Sequence, residues 1–205
     1  MATPRRPNPD LIIDAAMSLA AQSRWRKVTL ANIAVEAKIS LVQLHEIFRS
    51  KSAIVAALGD RVDRAVLAGT GADVGSEPVR DRLLDVLMRR LEALAPHKDG
   101  IASILRDATC DPAAVICASP GVLRRMAWSL ETAGVSSAGV AGRIRAKGLA
   151  AIYLTTLLVW LRDDSPDQGR TLAHLDKSLR RAERLAMALS LAPRGPRQDA
   201  EEVIS

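Results

Sequence analysis

Apolar residues return at three- and four-residue intervals along most of this chain, the spacing that keeps them on one face of an α-helix. Ile12, Ala15, Ala16, Leu19 and Ala20 form the first stripe, with Asn8 as its cap and Pro9 at the first helical position. Leu30, Ile33, Ala34 and Ala37 form the second, and Thr29 stands where an N-cap belongs. Ala37-Lys38-Ile39 reads as a turn, after which Ser40 caps a short helix whose Leu44, Ile47 and Phe48 point inward. Ser50 caps a further helix carrying Ile54, Ala57 and Leu58. Residues 10 to 67 are therefore expected to form four helices, with Trp25, Ile33, Leu44 and Phe48 in one small core.

The pattern changes after residue 67. GTGADVGSE (69–77) reads as a flexible linker, and Pro78 opens a helix with Val79, Leu83, Leu87, Leu91 and Leu94 on one face, ending at Pro96. A further helix is expected over Lys98 to Asp107. Asp111-Pro112 and Ser119-Pro120 each put a capping residue before a proline, which predicts two short helices with a bend between them. The glycines and serines from Gly134 to Gly142 predict a loop.

Two long helices follow, over about 143–162 and 166–191. The first has no charged residue between Lys147 and Arg162. Its thirteen or fourteen apolar residues fall short of the roughly twenty needed to span a bilayer. A helix apolar all round belongs inside a bundle or between subunits. The second sets Leu172, Leu175, Leu179, Ala182, Leu185, Ala186 and Leu189 on one face, with Lys177, Arg180, Arg181 and Arg184 on the others. Such a pair suits a four-helix homodimer interface to which each subunit contributes two helices. Sustained alternation and β-branched runs are nearly missing, so the chain is expected to be all-α. Its expected organisation is a domain over 1–67, a second over 78–192 and a disordered tail over 193–205.

Composition narrows this further. In 205 residues, 48% are hydrophobic but only 2% aromatic, so the core must be built from Ala, Leu, Val and Ile, which suits close-packed helices. The net charge of +6 is not confined to one end. Residues 1–67 hold ten Lys/Arg against six Asp/Glu, and residues 176–197 hold six against two. A basic surface concentrates near nucleic acid and anionic lipid alike, so charge does not choose between them. Cys110 and Cys117 would stand about 10 Å apart on one helix at roughly 1.5 Å per residue, too far to bridge. The start MATPRRPNPD lacks an apolar secretory run, and a reduced, cytoplasmic setting is the expectation.

Among candidate chemistries, one stands out. The segment from Thr29 to Ser52 has the spacing of a helix-turn-helix, which offers its second helix to the DNA major groove. Arg5 and Arg6 precede the first helix, where an arm could reach phosphate or a minor groove. No phosphate loop, nucleophile elbow or dinucleotide fingerprint occurs, so no catalytic residue and no cofactor is assigned. His45, His97 and His174 lie far apart and lack metal-ligand spacing, so no metal site is assigned. His97 reads as a helix-terminal residue, His174 as a surface or interface position. Asp163, Asp164 and Asp167 read as a turn and helix cap at Pro166 rather than as paired catalytic carboxylates. Trp128, Tyr153 and Trp160 could line an apolar pocket or serve as ordinary core.

Residues 12 to 58 resemble the N-terminal domain of TetR-type transcriptional regulators. The IIDAA start, Trp25, Thr29, Ile33-Ala34, Ala37, Ser40, Leu44, Phe48 and Lys51 carry the resemblance. It implies a TetR-like fold, double-stranded DNA with a palindromic operator as partner, and contacts from Thr29, Gln43, His45 and Lys51. The chain departs from that family at Arg24 and Lys38, where glycine is usual, and in its Val42-Gln43-Leu44-His45-Glu46-Ile47-Phe48 segment. Glu46 repels phosphate unless it accepts from a cytosine amino group.

Residues 143–185 are similar to the C-terminal domain of the lipid-binding accessory protein of coenzyme Q biosynthesis, the ninth Coq protein. The Ala-Ile-Tyr-x-Thr-Thr run at 151–156, the Asp-x-Ser-Pro-Asp turn at 163–167 and Thr171 before a Leu-rich helix carry this second resemblance. Its fold is also TetR-like. It implies an isoprenoid lipid as ligand, presentation of that lipid to a di-iron hydroxylase, and a partner contact at Trp128; Tyr153, Thr156 and Trp160 join Trp128 as candidate ligand or partner contacts. The amphipathic membrane-docking helix of its mitochondrial members has no counterpart in APRGPRQDAEEVIS (192–205). The two resemblances agree on fold and differ on function. The first implies a repressor answering to an apolar small molecule, the second a lipid carrier.

Overall fold

The computed structural model describes residues 7–69, 77–108 and 112–188, with only the helical backbone over 112–119. Among these residues all regular structure is helical: α1 (Pro9–Gln22), α2 (Leu30–Glu36), α3 (Leu41–Ile47), α4 (Lys51–Ala68), α5 (Val79–Leu94), α6 (Lys98–Ala108), α7 (Pro112–Thr132), α8 (Gly139–Trp160) and α9 (Gly169–Ala188). Single 3₁₀ turns at Trp25–Lys27 and Ala95–His97 precede α2 and α6. Arg5, Arg6, linker positions 70–76, Cys110, the Cys117 side chain, Leu189 and the tail from 193 lie outside the described residues.

The local signals at the helix starts hold. Asn8 accepts the Asp10 N–H at the head of α1, and Thr29, Ser40 and Ser50 each accept an N–H of the first turn they cap. Between α2 and α3, Lys38 stands in the left-handed region at φ 56°, where a side chain is strained. The turn closes there through Lys38 N–H to Val35 O and Ile39 N–H to Ala34 O, both 3.0 Å.

Two expectations fail for identifiable reasons. The two short helices predicted about Ser119-Pro120 are instead one, α7, which continues through Pro120. Proline removes one backbone donor, but Pro120 is exposed, where water can serve the orphaned carbonyl, and α7 is held by α4, α5 and α8. The last helix begins at Gly169 rather than at Pro166, because Asp163 closes a turn first. One carboxylate oxygen accepts the Ser165 hydroxyl at 2.5 Å and the other accepts the Thr171 N–H and hydroxyl at 2.8 and 2.7 Å. Smaller shifts also occur: α8 starts at Gly139, within the predicted loop, and Trp25 is only half-buried.

One continuous core joins the elements. Ile12, Ile13, Met17, Ile33, Leu44, Phe48 and Ile54 fill the space among α1 to α4, and it runs on through Leu87, Leu91, Leu130, Tyr153, Trp160 and Leu175. Helix α1 lies along α6, and Gly100 permits it: a Cβ there would come within 2.7 Å of the Met17 carbonyl oxygen.

Charge is buried where α4 meets α5 and α7. Arg90 of α5 is 3% exposed and donates from Nη1 to Asp63 Oδ1 of α4 at 2.5 Å. Arg125 of α7 places Nε 3.3 Å from Asp63 Oδ2, and its Nη2 donates to Asp60 Oδ1 and to the Ala56 carbonyl. Tyr153 of α8 lies under the Arg90 guanidinium, 5.6 Å from charge to ring centre.

Three outcomes are expected. Asp63→Ala leaves the buried Arg90 guanidinium without its carboxylate and takes one of two carboxylates from the half-buried Arg125, and should cost about 3–5 kcal/mol in urea unfolding. Lys38→Gly should stabilise by about 1 kcal/mol, since glycine takes this φ without strain, part of the gain being lost to a freer unfolded chain. Asp163 is held well below the usual carboxylate range, first by the Ser165 hydroxyl and then by Thr171. A depressed native pKa stabilises above the unfolded value of about 3.9 and is lost as pH falls toward the native one. Asp163→Asn should therefore lower the Tm by a constant amount near neutrality, and the gap should narrow below about pH 4.

Candidate nucleic-acid interface

Helices α2 and α3 span seven residues each, too short to be stable alone in water. Reciprocal caps and packing hold them. Thr29 and Asn32 form a capping box on α2, and Ser40 and Gln43 form a second on α3. In the second, Gln43 Oε1 accepts the Ser40 N–H at 2.9 Å, so one end of that amide is committed to the backbone.

The loop entering α2 is fastened from two sides. From α4, the Lys51 ammonium donates to the carbonyls of Trp25 and Val28, each at 2.7 Å, and lies 4.6 Å over the Trp25 ring. Burial lowers its pKa from the ordinary lysine value, and Asp107 opposes that shift. From α6, Ser103 accepts the Trp25 N–H and donates to the Ser23 carbonyl, while Asp107 accepts the Arg26 N–H at 2.7 Å. Ser103 and Asp107 were not singled out from the sequence. Their mark is a polar pair four apart on the side of α6 that is buried beside Gly100 and Ile101.

The outer side of α3 presents Leu41, Val42, His45 and Glu46 to solvent. Arg24, Arg26, Lys27, Lys38 and Arg49 are exposed on the neighbouring segments. Thr29 is exposed at the head of α2, so Thr29, Gln43 and His45 share the α2–α3 region, whereas Lys51 turns back to the protein. Three of a lysine's N–H bonds are available and two are occupied here.

The four candidate ligand residues do not form one site. Tyr153, Thr156 and Trp160 lie at helical spacing on the buried side of α8, while Trp128 of α7 is 57% exposed. Burial pushes the Tyr153 hydroxyl pKa up, against the opposing charge of Arg90. The Thr156 hydroxyl donates to the Ile152 carbonyl at 2.8 Å, within its own helix. Trp160 alone borders a concavity, of about 290 Å³, lined also by Lys98, Asp163, Ser165 and Gln168. A second, of about 230 Å³, lies between α1 and α4 beside Phe48. His97 follows the end of α5, bonded to Arg61 and 3.5 Å from Asp14. Burial lowers its pKa, and Arg61 adds to this. His174 is 3.5 Å from the Thr155 hydroxyl on the outside of the α8–α9 pair. No cluster of three or more metal-ligating side chains occurs among the described residues. No described helix is long and apolar enough to cross a membrane.

Comparison with known proteins bears on the whole arrangement. A family model described as COQ9 matches residues 145–186. No curated protein matches the chain. The chain is similar to the crystal structure of the TetR transcriptional regulator from Nitrosomonas europaea ATCC 19718, at 28% identity and a TM-score of 0.70, over 85% of this chain and 97% of that one. It is similar to a TetR transcriptional regulator from Rhodococcus sp. RHA1, at 17% identity and 0.61, over 83% and 92%. It is also similar to a TetR-family regulator from Streptomyces coelicolor, at 19% identity and 0.54, over 88% and 85%. The chain has the all-helical fold of TetR regulators over most of its length, and α8 and α9 carry a COQ9 sequence pattern.

Proposed function

We propose that this chain is a one-component transcriptional repressor, a cytoplasmic homodimer that holds a palindromic operator in double-stranded DNA and answers to an apolar small molecule. The observation that carries this reading is the doubly fastened α2–α3 unit, which leaves the outer side of α3 free within a basic rim. The similarity to the Nitrosomonas europaea regulator over nearly its full length supports it. In this reading the Arg5-Arg6 arm and Thr29 meet phosphates, and His45 and the Gln43 amide N–H groups meet base edges. Lys51 acts by holding the loop before α2 in place. Dimerisation uses α8 and α9: Val140, Ile144, Leu154 and Leu158 are exposed along one side of α8, and Leu172 and Leu185 are exposed on α9. These are apolar positions that a monomer leaves in water.

A second reading rests on a different observation, the COQ9 match over 145–186. In it the chain is a carrier of an isoprenoid quinone precursor that retains the regulator scaffold, and the exposed Trp128 meets an enzyme partner.

Fluorescence anisotropy against duplexes from the DNA flanking the chain's own gene tests both. The repressor reading expects specific binding at two chains per duplex, with a steep salt dependence. His45→Ala should cost about 1–3 kcal/mol of discrimination at one base pair. If no specific binding occurs even at low salt, and mass spectrometry finds a quinone precursor with the protein, the carrier reading replaces it. Trp128→Ala should then abolish enzyme binding and leave the lipid bound.

A further inference from the structure

The exposed side of α3 begins with two apolar residues, Leu41 and Val42, which are 51% and 70% exposed. One turn further on, Val42 is followed in its row by Glu46 and Leu41 by His45, all on the outside, while Leu44 is fully buried on the inside. Neither one contributes to the core. The polar neighbour Gln43 offers a base pair its N–H groups, its oxygen being engaged in the cap. An amide recognises adenine through both its oxygen and its nitrogen, and Gln43 Oε1 is already held by the Ser40 N–H.

The surroundings select the occupant. Arg24, Arg26, Lys27, Lys38 and Arg49 are exposed on the segments before α2, between α2 and α3 and after α3, with Glu36 as the one exposed acid there outside α3, a net basic setting complementary to a polyanion. In the major groove, thymine alone among the four bases presents a methyl group. We infer that Leu41 and Val42 recognise thymine methyl groups, so each half-site carries thymine at the positions facing the first turn of α3. Glu46, in the Val42 row, then faces an adjacent cytosine, whose amino group it accepts while its charge is kept from the phosphates. This inference rests on the operator reading and adds the base class to it.

Selection by the full chain from a random duplex library supplies the probe. The strongest enriched duplex is then resynthesised with single thymines replaced by uracil, which removes only the methyl group. Thymine should recur in the enriched half-site, and uracil at a contacted position should raise the Kd about fourfold, the equivalent of one buried methyl. In Val42→Ala or Leu41→Ala, both at exposed positions, the penalty should vanish at the one thymine each residue covers and persist elsewhere. An enriched duplex that tolerates uracil at every position, or whose penalties survive both variants, overturns the inference and leaves the operator reading standing. A library from which no duplex is enriched above non-specific binding overturns both, and assigns the apolar face to a protein partner.

Discussion

The position of α4 is fixed by charge buried around Asp63. Desolvating guanidinium groups costs several kcal/mol each, and the carboxylates here recover it in part, since Arg90 Nε and Arg125 Nε are buried without a hydrogen-bond partner. Asp63 serves Arg90 from α5 and Arg125 from α7 at once, and Arg125 also spans to Asp60 and the Ala56 carbonyl. Gly59 gives Arg125 its room, since a Cβ there would lie 2.2 Å from the guanidinium. Sliding α4 against the other helices would therefore break several charge-assisted bonds together. An apolar contact of similar area would tolerate a small slip, but this one does not.

What α4 holds at its other end follows from that. Lys51 opens the helix and fastens the Trp25 and Val28 carbonyls, and α6 fastens the same loop through Ser103 and Asp107. The two seven-residue helices thus take their orientation from α4 and α6 rather than from intrinsic helix strength. Tyr153 puts α8 in contact with Arg90, so the face of α8 that reaches the core also touches the ion pairs fixing α4.

The sequence made some of this legible and hid the rest for a physical reason. Caps at Asn8, Thr29, Ser40 and Ser50 are interactions over two or three residues, so the pattern that specifies them is local. Helix existence followed from apolar spacing in the same way. The Asp63 cluster has hydrogen bonds between residues up to 69 apart in sequence, and spacing carries no information over that distance. One trace was nevertheless visible: Arg90 interrupts the apolar stripe of Val86, Leu87, Leu91 and Leu94, and a charge on a buried face implies a buried partner. Pro120 misled because its cost depends on whether the freed carbonyl meets water, which only the packed structure decides. Resemblance carried the fold correctly, but it did not reveal that the Lys51 ammonium holds two backbone carbonyls of the loop before α2.

The recognition surface inherits its constraints from this division of labour. Gln43 completes the cap that keeps α3 helical, so its amide meets a base edge only from the orientation in which its oxygen still accepts the Ser40 N–H. A seven-residue helix has few other ways to satisfy that donor. The side chains of α3 with no structural duty are Leu41, Val42, His45 and Glu46, and with the Gln43 N–H groups they are what this helix offers to base edges. Two are apolar and one is acidic, so the surface gains little from general attraction to DNA. In the operator reading, affinity would come from the flanking basic residues, which salt screens, and selectivity from contacts that salt leaves largely untouched.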